Sequence, residues 1–333
     1  MSAALCARFA LDELLGVDAD ALRVTTAPAT HKPLPRERLA VRVNTFRRDD
    51  LLRRFLAHYA PCDAVGDIAV VWSDVARAPP AWLVALEQDV VDEKMTGSST
   101  LHVEVHAEDS LNNRFKPLER PAHEAVLSID DDVFVACATL DAMLDAWALA
   151  GRRQMVGLAP RLVSRRDADD AGSSFRKQRR RRRRRRRLAA GGSSSSTASP
   201  YAYHRWWRVW WNGAYSLVLT KIAVLARDDL AAYSAEDSAV LVAIRRHVDR
   251  HRNCEDLAMS FLVANATNAP PVWLKAPYRD YGQSFQKNAG ISSQGDHVEV
   301  REDCLALFAR LFGRMPLVTG SQKLVPASKE WFW

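Results

Sequence analysis

Ala125-Val126-Leu127-Ser128-Ile129-Asp130-Asp131-Asp132 is a nearly unbroken apolar run that delivers three carboxylates at its end. Such a run reads as an apolar strand. Ligands of open α/β sheets collect just beyond the carboxyl ends of the strands. Three acids there suit a hard divalent cation, magnesium or manganese, held against a diphosphate. The same acids also suit a plain acidic turn before the helix that Leu140, Met143, Leu144 and Trp147 predict, and the run alone leaves both readings open.

Upstream the pattern is regular. Leu39 to Val43 reads as a strand, Asp49 to Tyr59 as a helix, and Ile68 to Trp72 and Leu101 to Val105 as further strands. Leu51, Leu52, Phe55, Leu56 and Tyr59 share one helical face, and Asp49 stands where it could cap the helix start. Strands alternating with helices imply a mostly parallel sheet. Residues 1–38, with the amphipathic stretch Leu11 to Leu22 and the proline-rich run Ala27 to Pro35, read as a leader and linker, and 319–333 as a tail.

Downstream, 165–200 breaks the pattern. Nine arginines, Arg179 to Arg187, are followed by Gly191-Gly192-Ser193-Ser194-Ser195-Ser196. Such density of like charge cannot bury a core, so the stretch reads as a disordered insertion. It also accounts for the basic balance: of 47 basic residues nine lie in the run, leaving 38 against 40 acidic ones. The remainder of the chain therefore lacks the broad basic surface of a nucleic-acid-binding protein, and no specific nucleic acid is expected as a partner. With 333 residues, 48% of them hydrophobic, a full core is within reach. No stretch has the roughly 18 to 20 consecutive apolar residues of a membrane span.

Order resumes at Tyr201. The alternation Trp207, Val209, Trp211 against Trp206, Arg208, Trp210 predicts a hairpin with a buried aromatic face, or a platform on which a sugar ring stacks, and Gly213 to Leu219 predicts a strand. A helix is expected from near Arg252, with Leu257, Met259, Phe261 and Leu262 facing inward. Glu255 and Asp256 fall in its first turn, where the macrodipole favours acids; a carboxylate fixed at the lip of a pocket is the second reading. Cys6, Cys62, Cys137, Cys254 and Cys304 fit no zinc spacing; one disulfide plus free thiols is compatible with them.

Taken in order, these pieces resemble the exostosin-like glycosyltransferase domain of glycosyltransferase family 64. The matching segments are Val43-Asn44-Thr45-Phe46-Arg47-Arg48, Val70-Val71-Trp72-Ser73-Asp74, Ser110-Leu111-Asn112-Asn113-Arg114-Phe115, Ser128 to Asp132, Val156 to Arg161 and Asn253 to Met259. The resemblance implies an α/β fold: one GT-A type nucleotide-sugar-binding domain with a mixed, mostly parallel central sheet, interrupted by the arginine insertion. Residues 39–164 would form the nucleotide-sugar half and 201–318 the acceptor-side and catalytic half.

It further implies a retaining, metal-dependent enzyme that moves a sugar, N-acetylhexosamine foremost, from a UDP-sugar to a glycan or glycolipid. The alternatives are a catalytically silent relative and an anionic-ligand binder acting through the arginines. Residue by residue, Asn44, Thr45, Ser73, Asn113 and Arg114 fall on donor-binding positions, as do Asn253 and His297. Asp130 falls on the ribose contact, Asp131 on the transferred sugar and Asp132 on the Mn2+ or Mg2+ ligand. Asp256, with Glu255 beside it, matches the carboxylate at the anomeric carbon. Gln294 stands where the family carries an arginine near the diphosphate, a loss that Arg301 or Lys287 could offset.

Cys254 and Cys304 match the family's disulfide. The implied setting is the Golgi or endoplasmic reticulum lumen, membrane-associated in the family, and the lone sequon Asn265-Ala266-Thr267 fits it. A homodimer is admitted.

Overall fold

The structure, a computed structural model, describes residues 37–91, 99–166, 199–282 and 297–326. The strands in chain order are β1 (Leu39–Thr45), β2 (Val65–Trp72), β3 (Thr100–Val105), β4 (Ala125–Asp130), β5 (Val133–Phe134), β6 (Val156–Gly157), β7 (Pro160–Arg165), β8 (Tyr201–His204), β9 (Leu217–Val218), β10 (Ile222–Ala226), β11 (Val272–Leu274), β12 (Arg279–Asp280) and β13 (Lys323–Leu324). The helices are α1 (Asp49–Tyr59), α2 (Ala81–Val91), α3 (Cys137–Leu149), α4 (Trp206–Asn212), α5 (Arg227–Ser234), α6 (Ala239–His251), α7 (Glu255–Thr267) and α8 (His297–Leu311), with a 3-10 turn at Leu111–Phe115.

An eight-stranded sheet runs β13-β11-β6-β10-β4-β1-β2-β3. All its neighbours are parallel except β10, which is antiparallel to both β4 and β6. Alternation at period two divides each strand between two cores. Leu39, Val41 and Val43 of β1 and Leu127 and Ile129 of β4 face the side covered by α1 and α3. Ala40, Val126, Ala223 and Leu225 face the side that α5 to α8 cover. Burial on both faces is why β4 reads as a continuous apolar run.

Around β1 the order reverses: β2 and β3 lie to one side, β4 to the other. That reversal is the topological switch point at which open α/β sheets hold ligands. The parallel register pairs Asn44 with Asp130 there, so the ends of β1 and β4 open into one crevice.

Several expectations are corrected. Asp49 does not cap α1, whose start has no side-chain cap; its carboxylate instead pairs with Arg77 at 2.8 Å. The aromatic run is the helix α4, not a hairpin, because Gly213 in the left-handed region (φ 62°) closes a helical turn and only Val209 of the run is buried. The strand expected over Gly213 to Leu219 is limited to Leu217–Val218. Within the segment read as a tail, Lys323–Leu324 pairs with β11 at the sheet edge.

The arginine run and the leader lie outside the described residues. The edges of the 165–200 stretch do not: Arg165 pairs with Tyr201, Arg166 with Glu302, and Ser199 Oγ donates to the Glu302 carbonyl at 2.7 Å. Replacing 167–198 by a short Gly/Ser linker, with Arg166 and Ser199 kept, is expected to leave the melting temperature almost unchanged, since Gln178 to Leu188 encloses no apolar side chain. Calorimetry of the shortened chain checks this; a drop of many degrees would show that the segment packs on the domain.

Among the described residues two disulfides are present, Cys62–Cys137 and Cys254–Cys304. The second is the pair the resemblance implied. The first ties the end of α1 to the start of α3, a bridge between residues too distant in sequence for spacing to reveal. Cys254 precedes α7 directly, so reducing its bridge to α8 should loosen the turn that presents Glu255 and Asp256. A loss of roughly 2–4 kcal/mol is expected from opening a loop of this size, with activity falling alongside. Thermal melts of a Cys254→Ala/Cys304→Ala variant measure it; unchanged stability and activity would remove the bridge from the site's support.

Candidate active site

Three carboxylates leave β4, and the structure gives each a different environment. Asp130 accepts from Arg114 at 2.5 Å. Asp131 has no exposed surface; Thr45 Oγ1 donates to it at 2.6 Å and Arg48 lies 2.6 Å away. Asp132, nearly buried, also pairs with Arg48. Burial pushes the Asp131 carboxyl up to about 7 despite Arg48 and Thr45. Burial also raises Asp132, with repulsion from Asp130 and Asp280 adding to it against the pull of Arg48.

The second strand pair closes this end. β12 pairs with β5, the Tyr281 N–H donates to the Asp132 carbonyl at 2.8 Å, and Lys221 reaches Asp280 at 2.5 Å. Gly282 passes so close to Asp132 that a Cβ there would overlap its Oδ2 and force that carboxylate to move.

On the opposite wall the 3-10 turn supplies Asn113 and Arg114. Asn113 Nδ2 donates to Ser73 Oγ at 3.0 Å and to the Glu108 carbonyl at 2.7 Å, so Ser73 and Asn113 meet at the ends of β2 and the turn. The turn is anchored from beneath by Arg42. Its guanidinium forms two 2.7 Å bonds to Glu104 and donates to the backbone carbonyls of Asn113 and Arg114. Burial opposes the Glu104 charge, but His102, His106 and Arg42 outweigh it and hold its carboxyl well below the usual range.

Arg114 links the two acidic clusters. Burial works against its charge, but Asp130, Glu255 and Asp256 all stabilise it. At the start of α7, Asp256 is buried, accepts from the Leu257 N–H at 2.8 Å and pairs with Arg301 of α8. Arg301 in turn lies 4.6 Å over the Tyr203 ring and 3.3 Å from Asn253 Oδ1. Burial raises Glu255 to about 7, helped by its acidic neighbour. Burial would raise Asp256 too, yet Arg301 outweighs it and holds that carboxyl below its ordinary value. Two adjacent acids pushed apart in this way can divide the roles of proton carrier and fixed anion.

The sequence-derived positions therefore converge in large part. Asn44, Thr45, Ser73, Asn113, Arg114, Asp130, Asp131 and Asp132 gather at the switch point, and the charges of Glu255 and Asp256 are felt there by Arg114. Asn253 braces Arg301 and the Cys254 N–H. His297 opens α8; Gln294 and Lys287 lie outside the described residues. Arg301 is committed to Asp256. Missing from the sequence reading are the roles of Arg48, which holds Asp131 and Asp132, and of Lys221 and Asp280; those pairings join residues 59 to 84 positions apart, which spacing does not expose.

Among the described residues no three His, Cys, Asp or Glu side chains converge on one metal position. The donor chemistry nonetheless fits a hard cation: Asp130, Asp132 and Asp280 bring carboxylate oxygens to the crevice, each beside a cationic partner, Arg114, Arg48 and Lys221, and a donor diphosphate would supply further oxygens.

A family model described as the Glycosyl transferase family 64 domain matches residues 39–329. The chain belongs to this glycosyltransferase family. It is 36% identical over 87% of its length to glycosylinositol phosphorylceramide mannosyl transferase 1 of Arabidopsis thaliana, covering 77% of that protein. An exostosin-like-3 homolog of Caenorhabditis elegans is 29% identical over 85% of this chain, which spans only 28% of that longer protein. Glucosamine inositolphosphorylceramide transferase 1 of Oryza sativa is 29% identical over 80% of this chain and 29% of its own. A solved mannosyltransferase from Pyrobaculum calidifontis superposes with TM-score 0.35 at 12% identity, covering 84% of this chain and 73% of its own, too slight a likeness to argue from. The family-64 domain is thus an α/β glycosyltransferase with a mixed, mostly parallel central sheet.

Proposed function

We propose that this glycosyltransferase moves a hexose, mannose foremost, from a nucleoside diphosphate to a glycosylinositol-phosphorylceramide type of glycolipid, with retention at the anomeric carbon. The observation that carries the reading is the cluster of Asp130, Asp131 and Asp132 at the switch point, with buried Arg114 paired to Asp130 and Arg48 paired to Asp131 and Asp132. The acceptor and the sugar are taken from the plant relative that matches most of this chain. An N-acetylhexosamine carried by UDP is the second reading, favoured by the rice relative's glucosamine specificity.

In this mechanism Asn44, Ser73 and Asn113 hold the nucleoside, and Asp130 the ribose side. Asp131, wholly buried, acts with Thr45 by fixing Arg48. Arg114 and Arg48 direct planar, paired donors at the diphosphate. Asp132 would hold Mn2+ or Mg2+, which as a Lewis acid would offset charge on the departing nucleotide. Asp256, ionised by Arg301, faces the carbon that becomes cationic as the bond to the diphosphate lengthens. Glu255, raised to about 7, would in its ionised form take the proton of the attacking acceptor hydroxyl.

Two disulfides suit an oxidising lumen, of Golgi or endoplasmic reticulum type. No helix among the described residues is long and apolar enough to cross a membrane. A screen of GDP-mannose, UDP-N-acetylglucosamine and UDP-N-acetylgalactosamine, with inositol-phosphorylceramide acceptors and manganese, tests the reading through glycolipid product and nucleotide release. Product from GDP-mannose supports it; product only from a UDP-sugar selects the second reading, and no product from any donor overturns both.

A further inference from the structure

Helix α4 has no role in the chemistry above, yet it carries the most exposed aromatic surface of the described residues. Trp206, Trp207, Trp210 and Trp211 are 64%, 51%, 74% and 74% exposed. At about 100° per residue these four positions fall within an arc of about 140°, so the indoles make one continuous face. Val209 points the other way, packed with Leu162 and Tyr215, and anchors the helix to the domain. Exposed tryptophan in this number is not ordinary surface, because contiguous apolar patches mark interaction sites.

The composition of the face selects its occupant. It holds indoles alone, with exposed Arg205 at the edge and the Arg208 guanidinium 4.9 Å over the Trp207 ring. Trp210 lies against Trp211, with ring centroids 6.5 Å apart, and no hydrogen bond from an indole N–H of the four is seen among the described residues. A dry protein interface would have to satisfy all four. The headgroup layer of a bilayer does so with water, carbonyls and phosphates while taking up the rings, which is why tryptophan concentrates there. Arginine beside the rings complements anionic headgroups.

We propose that α4 docks the domain onto an anionic membrane surface, with the four indoles inserted at headgroup depth and Arg205 and Arg208 against lipid phosphates. Tyr203, three residues before Trp206, lies under Arg301, the partner of Asp256, so the docking helix begins a short way along the chain from the proposed reaction centre. The inference stands apart from the choice of donor or acceptor.

The test is sedimentation of the full-length protein with vesicles of phosphatidylcholine containing a quarter phosphatidylserine. Wild type should bind, more weakly with pure phosphatidylcholine and at high salt. Trp206→Ser/Trp207→Ser/Trp210→Ser/Trp211→Ser should bind at least about tenfold more weakly, with unchanged melting temperature and unchanged donor hydrolysis in solution. Trp210→Ala/Trp211→Ala, at the two most exposed rings, gives a milder variant in case the quadruple change perturbs folding, and should lose several-fold. Vesicle binding unchanged in both variants overturns the proposal. So does loss of binding only on deleting 167–198, which would assign the membrane contact to the arginine run. Retained vesicle binding with lost transfer to a water-soluble acceptor would make the face a sugar platform and overturn it as well.

Discussion

Asp132→Asn is expected to weaken donor binding in the presence of manganese by about a hundredfold or more, while leaving the fold intact. Outer partners of metal ligands already cost 10- to 100-fold when removed, so a proposed direct ligand belongs at or beyond the upper end. The fold should persist because Arg48 keeps its 2.6 Å contact to Asp131 and Tyr281 bonds only the Asp132 backbone. Stability should hold or rise. Burial and the neighbouring Asp130 and Asp280 raise the folded carboxyl above its unfolded value. Such a group stabilises most below its unfolded pKa, and that contribution is lost as pH climbs through the folded one. At neutral pH the ionised acid therefore carries a penalty that an amide lacks. Calorimetry with donor, with and without manganese, measures the effect; unchanged affinity would remove Asp132 from the metal site.

What the sequence made legible follows from which forces are local. α1 and α3 were readable because their apolar residues repeat at the helical period and face one core, and β1, β2 and β4 because they are short apolar runs covered on both faces. The crevice at Asp130 was readable for the same reason: an apolar strand must end somewhere, and its polar end opens at the switch point beside Asn44. α4 was misread because Trp207, Val209 and Trp211 satisfy a period of two while the same run satisfies a helical arc. Only exposure separates the two, and exposure is a tertiary property. The reading assigned no element to 220–251, where β10, α5 and α6 lie.

Charge partners were the least legible. Asp49 looked like a cap because caps are local, but Arg77, 28 residues away, won it. Arg48 sat inside a recognised segment without a role, since its partners lie 84 residues on. Arg301 looked free to serve the diphosphate. Its position on α8, opposite the first turn of α7, gives it to Asp256 instead.

That commitment shapes the effect expected of Asp256→Asn. Turnover should fall by about a hundredfold or more, the usual cost of removing one preorganised charge that acts where charge develops. Donor affinity should change little, because the anomeric carbon is neutral until the bond breaks. The fold, however, should not escape. Arg301 is buried, and with Asp256 neutralised it loses its ion pair and keeps only neutral acceptors, the new amide oxygen and Asn253 Oδ1 at 3.3 Å; breaking one side of a buried pair costs about 3–5 kcal/mol. A lower rate in the single variant could then reflect a loosened α7 rather than lost chemistry. Asp256→Asn/Arg301→Gln separates the two, since it removes both charges and should recover most of the stability while turnover stays low. Rates and melts of wild type, both single variants and the double variant give the answer. If turnover returns with stability, Asp256 is a structural anion; if it stays at least about a hundredfold down, the carboxylate acts on the reacting carbon.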